Sequence, residues 1–229
     1  PVWGGTYFSK ENWVSALDQI ADLYQKDSTK IIEYADKLTT GVQESNLVIP
    51  NKNEIIFSQE YIQKCVDKWS AFFDIDFGGL NRSPKFPMPT NYQFLMRHAY
   101  KTQNSNLQAY VNTTLTKMAY GGIFDQIGGG FARYSVDEKW HIPHFEKMLY
   151  DNGQLVSLYS DAYLIYKNEL YKETVYNTLK FIERDLMHEN GGFYASLDAD
   201  SLNEQEELEE GAFYVWKKEE LEKMIGADF

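Results

Sequence analysis

The chain has 229 residues, and 34 Asp and Glu against 22 Lys and Arg leave a net charge of −12. That field repels nucleic acid phosphates and anionic membrane surfaces, so DNA, RNA and lipid partners are set aside. No apolar run reaches membrane-spanning length, and no signal peptide is recognisable. The single cysteine, Cys65, excludes an intrachain disulfide and fits a reducing, cytoplasmic setting.

Trp13, Leu17, Ile20, Ala21 and Tyr24 recur at helical spacing and predict a helix over 10–25. Ser28 reads as the cap of a second helix, to about 43, carrying Ile31, Ile32, Ala35 and Leu38. Residues 44–57 are polar, contain Pro50, and read as a linker. Ser58 is expected to cap a helix with an apolar face of Tyr61, Ile62, Cys65, Val66, Trp69, Phe72 and Phe73, which places Cys65 in the core. After a Gly- and Pro-rich loop (74–87), helices follow from about Thr90 and through Leu107, Val111, Leu115 and Met118. Pro143 suits the first turn of a long helix through Phe145, Leu149, Leu155, Tyr159 and Tyr166. A further helix carries Val175, Leu179, Ile182 and Leu186, and a last one starts near Trp216.

The loops repeat. Asp74 leads to Gly78-Gly79-Leu80, Asp125 to Gly129-Gly130-Phe131, and Glu189-Asn190 to Gly191-Gly192-Phe193. A period of about 50–60 residues with two helices each indicates stacked helical hairpins. The expected fold is therefore all-α, a partial (α/α) six-hairpin toroid. A closed ring needs more chain, and Pro1 together with the end at Ile225–Phe229 reads as a piece of something longer.

Such loops gather at one end of a toroid, so a site should combine residues from more than one of them. The richest segment runs from Gly130 to Asn152. It offers Arg133 to hold a hydroxyl, carbonyl or carboxylate. His144, set at a helix start, would be held neutral by the dipole and serve as a base. Glu146 and Asp151 are candidate acids. Asp198 and Asp200 form a second carboxylate pair, of the kind glycosidic cleavage uses, although Asp and Ser there also suit a turn. Candidate binding residues are Arg133, Tyr134, Trp140, Lys85, Phe86, Tyr194 and Trp216, the aromatics by stacking on a sugar ring. His141 and His144 lack the spacing of a zinc helix, so neither a metal nor a cofactor is expected.

The run Gly128–Asn152, with Pro84-Lys85-Phe86-Pro87 and Ser196-Leu197-Asp198-Ala199-Asp200-Ser201, resembles the spermatogenesis-associated, thioredoxin-domain-containing family. The resemblance covers nearly the whole chain. It implies a thioredoxin-like domain followed by a toroid similar to N-acylglucosamine 2-epimerases. Pro1–Phe8 would then be a late strand of that first domain and the helix at 10–25 its last helix. Residues 1–43 would be a C-terminal remnant, 44–57 a linker, and 58–229 the first half of the toroid. The resemblance assigns no catalytic role to any residue.

Two readings stay open. One is a carbohydrate-active domain, a sugar epimerase or isomerase or a glycoside hydrolase-like enzyme. The other is a non-catalytic glycan- or protein-binding module that works with an attached thioredoxin-like domain. The partners expected are a small sugar, the remainder of the parent chain, and a second copy covering exposed hairpin faces.

Overall fold

The computed structural model describes residues 1–4, 8–50 and 58–226. Part of the Pro1–Phe8 stretch (5–7), half of the anticipated linker (51–57) and the last three residues (227–229) lie outside the described residues. The chain divides into two compact units, Pro1–Gln59 and Glu60–Phe229.

In the first unit, α1 (Lys10–Lys26) and α2 (Ser28–Ser45) pack as a hairpin. Ser9 caps α1 by accepting from the Asn12 N–H at 3.3 Å. Asp27, not Ser28, caps α2, because its longer side chain reaches the Lys30 N–H, and Ser28 is the first helical residue. Ile31 is the one buried hydrophobic residue of this unit among those described.

The second unit begins with α3 (Gln59–Ser70). Val66 is its buried residue and Trp69 packs beside it, whereas Cys65 is exposed. Cys65 lies about 100° around the helix from Val66, so the apolar face is narrower than the sequence pattern suggested. Phe72 and Phe73 lie beyond the helix, and Phe72 is exposed. Helices α4 (Pro89–Thr102) and α5 (Ser105–Tyr120) form one hairpin, and α6 (Leu149–Tyr166) and α7 (Glu169–Phe181) the next. Both hairpins turn the same way. A non-glycine residue in the left-handed region, Gln103 or Lys167, precedes an Asn cap, Asn104 or Asn168. A π-helical turn (Ile182–Leu186) extends α7, and α8 (Lys218–Ile225) closes the described chain.

The hairpins stack with α4 against α6 and α5 against α7, so alternate helices form two layers, the arrangement of an (α/α) toroid. The core lies between the layers, around Leu95, Ala99, Val111, Leu115, Phe131, Leu155 and Tyr159. Tyr159 donates its hydroxyl to the Leu115 carbonyl at 2.7 Å, which satisfies the one polar atom this buried side chain carries.

The glycine loops follow α3, α5 and α7, and the first two are built alike. Asp74 Oδ1 accepts from the Asp76 and Phe77 N–H groups, and Asp125 Oδ1 from Ile127 and Gly128. The other carboxylate oxygen takes a buried lysine, Asp74 with Lys85 at 2.6 Å and Asp125 with Lys147 at 2.8 Å. Each lysine also donates to a glycine carbonyl, Lys85 to Gly78 and Lys147 to Gly129. Gly79 (φ +75°) and Gly130 (φ +83°) have no alternative. A Cβ would lie 2.7 Å from the Trp140 ring at the first and 2.4 Å from Phe181 at the second. In the third loop His188, not Glu189, takes the place of the aspartate. Its Nδ1 accepts from the Asn190 N–H, and Met187 bridges to Phe193 as Phe124 does to Phe131.

Three short antiparallel strand pairs follow the loops. They are β1 (Tyr134–Ser135) with β2 (Pro143–His144), β3 (Lys147–Met148) with β4 (Ser196–Leu197), and β5 (Asp200–Leu202) with β6 (Leu208–Glu210). Pro143 therefore sits in a strand and not in a helical turn. The helix begins at Leu149, so His144 and Glu146 precede it, and Asp151 lies in its first turn instead of two turns in.

Candidate functional site

Strand alternation sorts the side chains of the second loop onto two sides. Lys85 and Ser135 are buried and pair through their backbones, while the rings of their neighbours Phe86 and Tyr134 pack at 4.9 Å with planes tilted by 34°. Tyr134 is the register partner of His144, and their rings stack at 4.8 Å. Phe86, Tyr134 and His144 thus make a three-ring platform, with Phe86 43% exposed.

Charged groups surround the His144 end. The Arg133 guanidinium donates to Glu146 Oε2 at 3.0 Å, and its backbone N–H donates to the Glu146 carbonyl. His144 Nε2 lies 3.8 Å from the same Glu146 oxygen, while Nδ1 is 2.8 Å from Glu210 Oε1. An Nδ1–H donated to Glu210 leaves the Nε2 lone pair as the basic atom. His144 stands in a strand before α6 and not at a helix start, so the expected dipole effect does not apply to it, and its orientation comes from Glu210 instead.

Asp151 completes the cluster. Its Oδ2 is buried and has no hydrogen-bond partner among the described residues. Burial pushes its carboxyl up to about 6, against the pull of Arg133 and with a further push from Glu146. Such a group changes charge near neutrality and suits proton transfer. The next residue, Asn152, is buried. It accepts from the Phe131 N–H at 2.7 Å and donates to the Phe131 and Met148 carbonyls. That clamp fixes the start of α6 against the strand leading to Arg133.

The opposite side of 143–147 faces a cleft of about 1150 Å³. Pro143, Phe145 and Lys147 line it together with Asp198, Asp200 and Trp216. Asp198 Oδ1 accepts from the Asp200 N–H at 3.2 Å, a turn contact. Asp200 is the cross-strand partner of Glu210, so it stands where the cleft meets the cluster.

Six of the anticipated residues therefore come together: Phe86, Arg133, Tyr134, His144, Glu146 and Asp151. Asp198, Asp200 and Trp216 belong to the cleft behind them. Tyr194 is exposed at the third loop, edge-on to His188. Two binding residues are corrected. Lys85 is buried in its ion pair with Asp74. Trp140 is fully buried and donates Nε1–H to the Phe77 carbonyl at 2.9 Å, so it has no face left for a sugar. Glu210 and Asn152 were missed. Glu210 hides in an acidic run, and its one local signal is Gly211, which takes φ +77° against the Phe145 ring. Among the described residues no group of three His, Cys, Asp or Glu side chains is arranged to hold a metal ion, and no helix is long and apolar enough to cross a membrane.

No protein-family model matches the chain. Spermatogenesis-associated protein 20 of Mus musculus is 35% identical over 237 residues, covering 98% of this chain and 30% of the mouse protein. The Homo sapiens protein of the same name is 34% identical over the same shares. The chain thus spans about 30% of the length of the curated relatives it matches. Among solved structures, a sugar epimerase from a ruminal bacterium aligns with a TM-score of 0.51 at 16% identity, covering 58% of this chain and 37% of that one. That likeness is one of fold, and it places the stacked hairpins in an (α/α) toroid. Over 98% of its length, the chain is thus homologous to a segment of spermatogenesis-associated protein 20.

Proposed function

We propose that the cluster at the start of α6 is a carbohydrate-directed acid–base site of the epimerase or isomerase type. The observation that carries this reading is Asp151, a half-buried carboxyl held up to about 6 beside Arg133, whose Oδ2 has no hydrogen-bond partner among the described residues. The Phe86–Tyr134 pair, with Phe86 43% exposed, would pack on the ring face. His144 Nε2, oriented through Nδ1 by Glu210, takes the proton from the carbon beside the sugar carbonyl. The electron pair of that C–H bond moves into the carbonyl, whose oxygen gains a proton from Asp151, giving an enediol. His144 then returns its proton to carbon while an enediol O–H proton passes back to Asp151 and the carbonyl re-forms. Delivery to the former carbonyl carbon gives the isomer, and delivery to the original carbon after the enediol has turned its other face to His144 gives the epimer. Arg133, tied to Glu146, holds the hydroxyls in register. The fold likeness to a sugar epimerase supports the substrate class by analogy.

Proton NMR in D₂O tests this with a panel of reducing mono- and disaccharides. The signal of the proton beside the anomeric carbon decays with the wild-type chain. It persists with His144→Ala and with Asp151→Asn, each checked for folding by circular dichroism. A folded wild-type chain that neither binds nor exchanges any sugar overturns the reading.

A further inference from the structure

We propose that the cleft behind the cluster binds a neutral oligosaccharide, so that the sugar presented to His144 is the end unit of a longer glycan. The inference rests on the carbohydrate reading and concerns the size of the ligand. The cleft holds about 1150 Å³, more than the roughly 300–1,000 Å³ of sites for single small molecules. One hexose would leave most of it to water.

Its walls are aromatic. Gly211, at φ +77°, lies against the Phe145 ring, and the Phe145 and Tyr214 rings stack at 5.5 Å. Phe213 donates its N–H to Ser201 Oγ at 2.9 Å, which ties this segment to β5. Phe213 and Trp216 line the same cleft and remain 74% and 46% exposed. Two open rings in a concave site offer flat apolar faces to the C–H side of sugar rings.

The polar groups of the cleft select a neutral polyol. Lys147 is paired with Asp125, and Arg184 with Asp185. Asp198 and Asp200 are exposed and have no cation partner among the described residues. An anionic glycan would meet these two carboxylates, and like charges are costly in such a site. A purely apolar ligand would strip them of water with no hydrogen bond in return. Ring hydroxyls can donate to both carboxylates. They can also accept from Arg184 Nη1, whose hydrogens are not used by the bonds from Nε and Nη2 to Asp185 and Gly128. Asp200 joins the two sites, because its cross-strand partner Glu210 holds His144 Nδ1. A glycan laid along the cleft therefore has one end at the strand pair that carries the His144 contact.

The test is a ligand-observed NMR titration of the chain. The probes are glucose, maltotriose, cellotriose, N-acetylglucosamine and its β-1,4-linked trimer. At least one trimer is expected to bind about 10-fold tighter than its monomer, a difference of about 1.4 kcal/mol. Trp216→Ala and Phe213→Ala, at exposed side chains and checked for folding by circular dichroism, should each remove most of that gain. Tyr176→Ala, at an exposed ring of α7 outside the cleft lining, should keep it. If the trimers bind no tighter than their monomers, or if the gain survives both cleft substitutions, the oligosaccharide inference is overturned, and binding or exchange of the monomers leaves the carbohydrate reading standing. If a folded chain binds none of the five and exchanges no sugar in the wider panel, the carbohydrate reading falls and this inference with it.

Discussion

Asp151 gains a testable signature from its place in the fold. Its folded-state carboxyl titrates at about 6, above the unfolded value near 3.9, because burial disfavours the charged form. The folded chain therefore keeps a proton that the unfolded chain has lost between those two values, and stability falls as pH rises through that window. Above about 6 the cost is constant. Asp151→Asn removes a charge that is half in contact with solvent, so screening reduces the gain to about 1 kcal/mol. The variant should melt about 2–4 °C higher than wild type at about pH 7.5 and gain nothing at about pH 4. An equal shift at both values would mean that the change acts by packing and not by charge. The sequence marked Asp151, His144, Glu146 and Arg133 as chemical residues because they crowd one segment. It did not show their surroundings. Pro143 suits a helical first turn and an edge strand equally well, and strands of two residues leave no period to read.

The glycine loops show which part of an element is legible in local spacing. The Asp-to-Gly-Gly spacing is visible in the chain, and so is the stacked-hairpin architecture it implies. The lysine that completes each loop is not visible. It lies 11 residues beyond Asp74 in one loop and 22 beyond Asp125 in the next, so no fixed interval announces it, and Lys85 reads as a ligand residue. The two carboxyls sit below the ordinary carboxylate range. Burial works against this, but the lysine hydrogen bond and two backbone N–H groups outweigh it. Removing one partner of a buried pair strands the other charge, at about 3–5 kcal/mol. Lys147→Met should therefore lower the urea-unfolding free energy by about that amount, whereas Lys172→Met, which breaks an exposed i,i+3 pair with Glu169, should leave it almost unchanged. Equal small losses would show that the lysine adds no stability to the loop.

At the scale of the molecule, the two units differ in what they bury. The described part of Pro1–Gln59 has Ile31 as its buried hydrophobic residue, and α1 has none. Two helices of 17 and 18 residues with so little apolar burial do not offset the conformational entropy of ordering them. The unit Glu60–Phe229 has a continuous core from Val66 to Tyr171, closed at the glycine-loop end by Trp140 and Phe181. Residue spacing carries no hint of this imbalance, because Trp13, Leu17 and Tyr24 keep helical spacing whether or not anything covers them, and all three are exposed. Expressed separately, residues 60–229 should give helical circular dichroism and a single cooperative melt, and the cluster around His144 should survive in that piece. Residues 1–59 should show weak helicity that fades gradually with temperature. A cooperative melt of 1–59 alone would show that the short unit holds more of its own stability than its burial accounts for. A non-cooperative 60–229 would show that the hairpin stack depends on chain outside it.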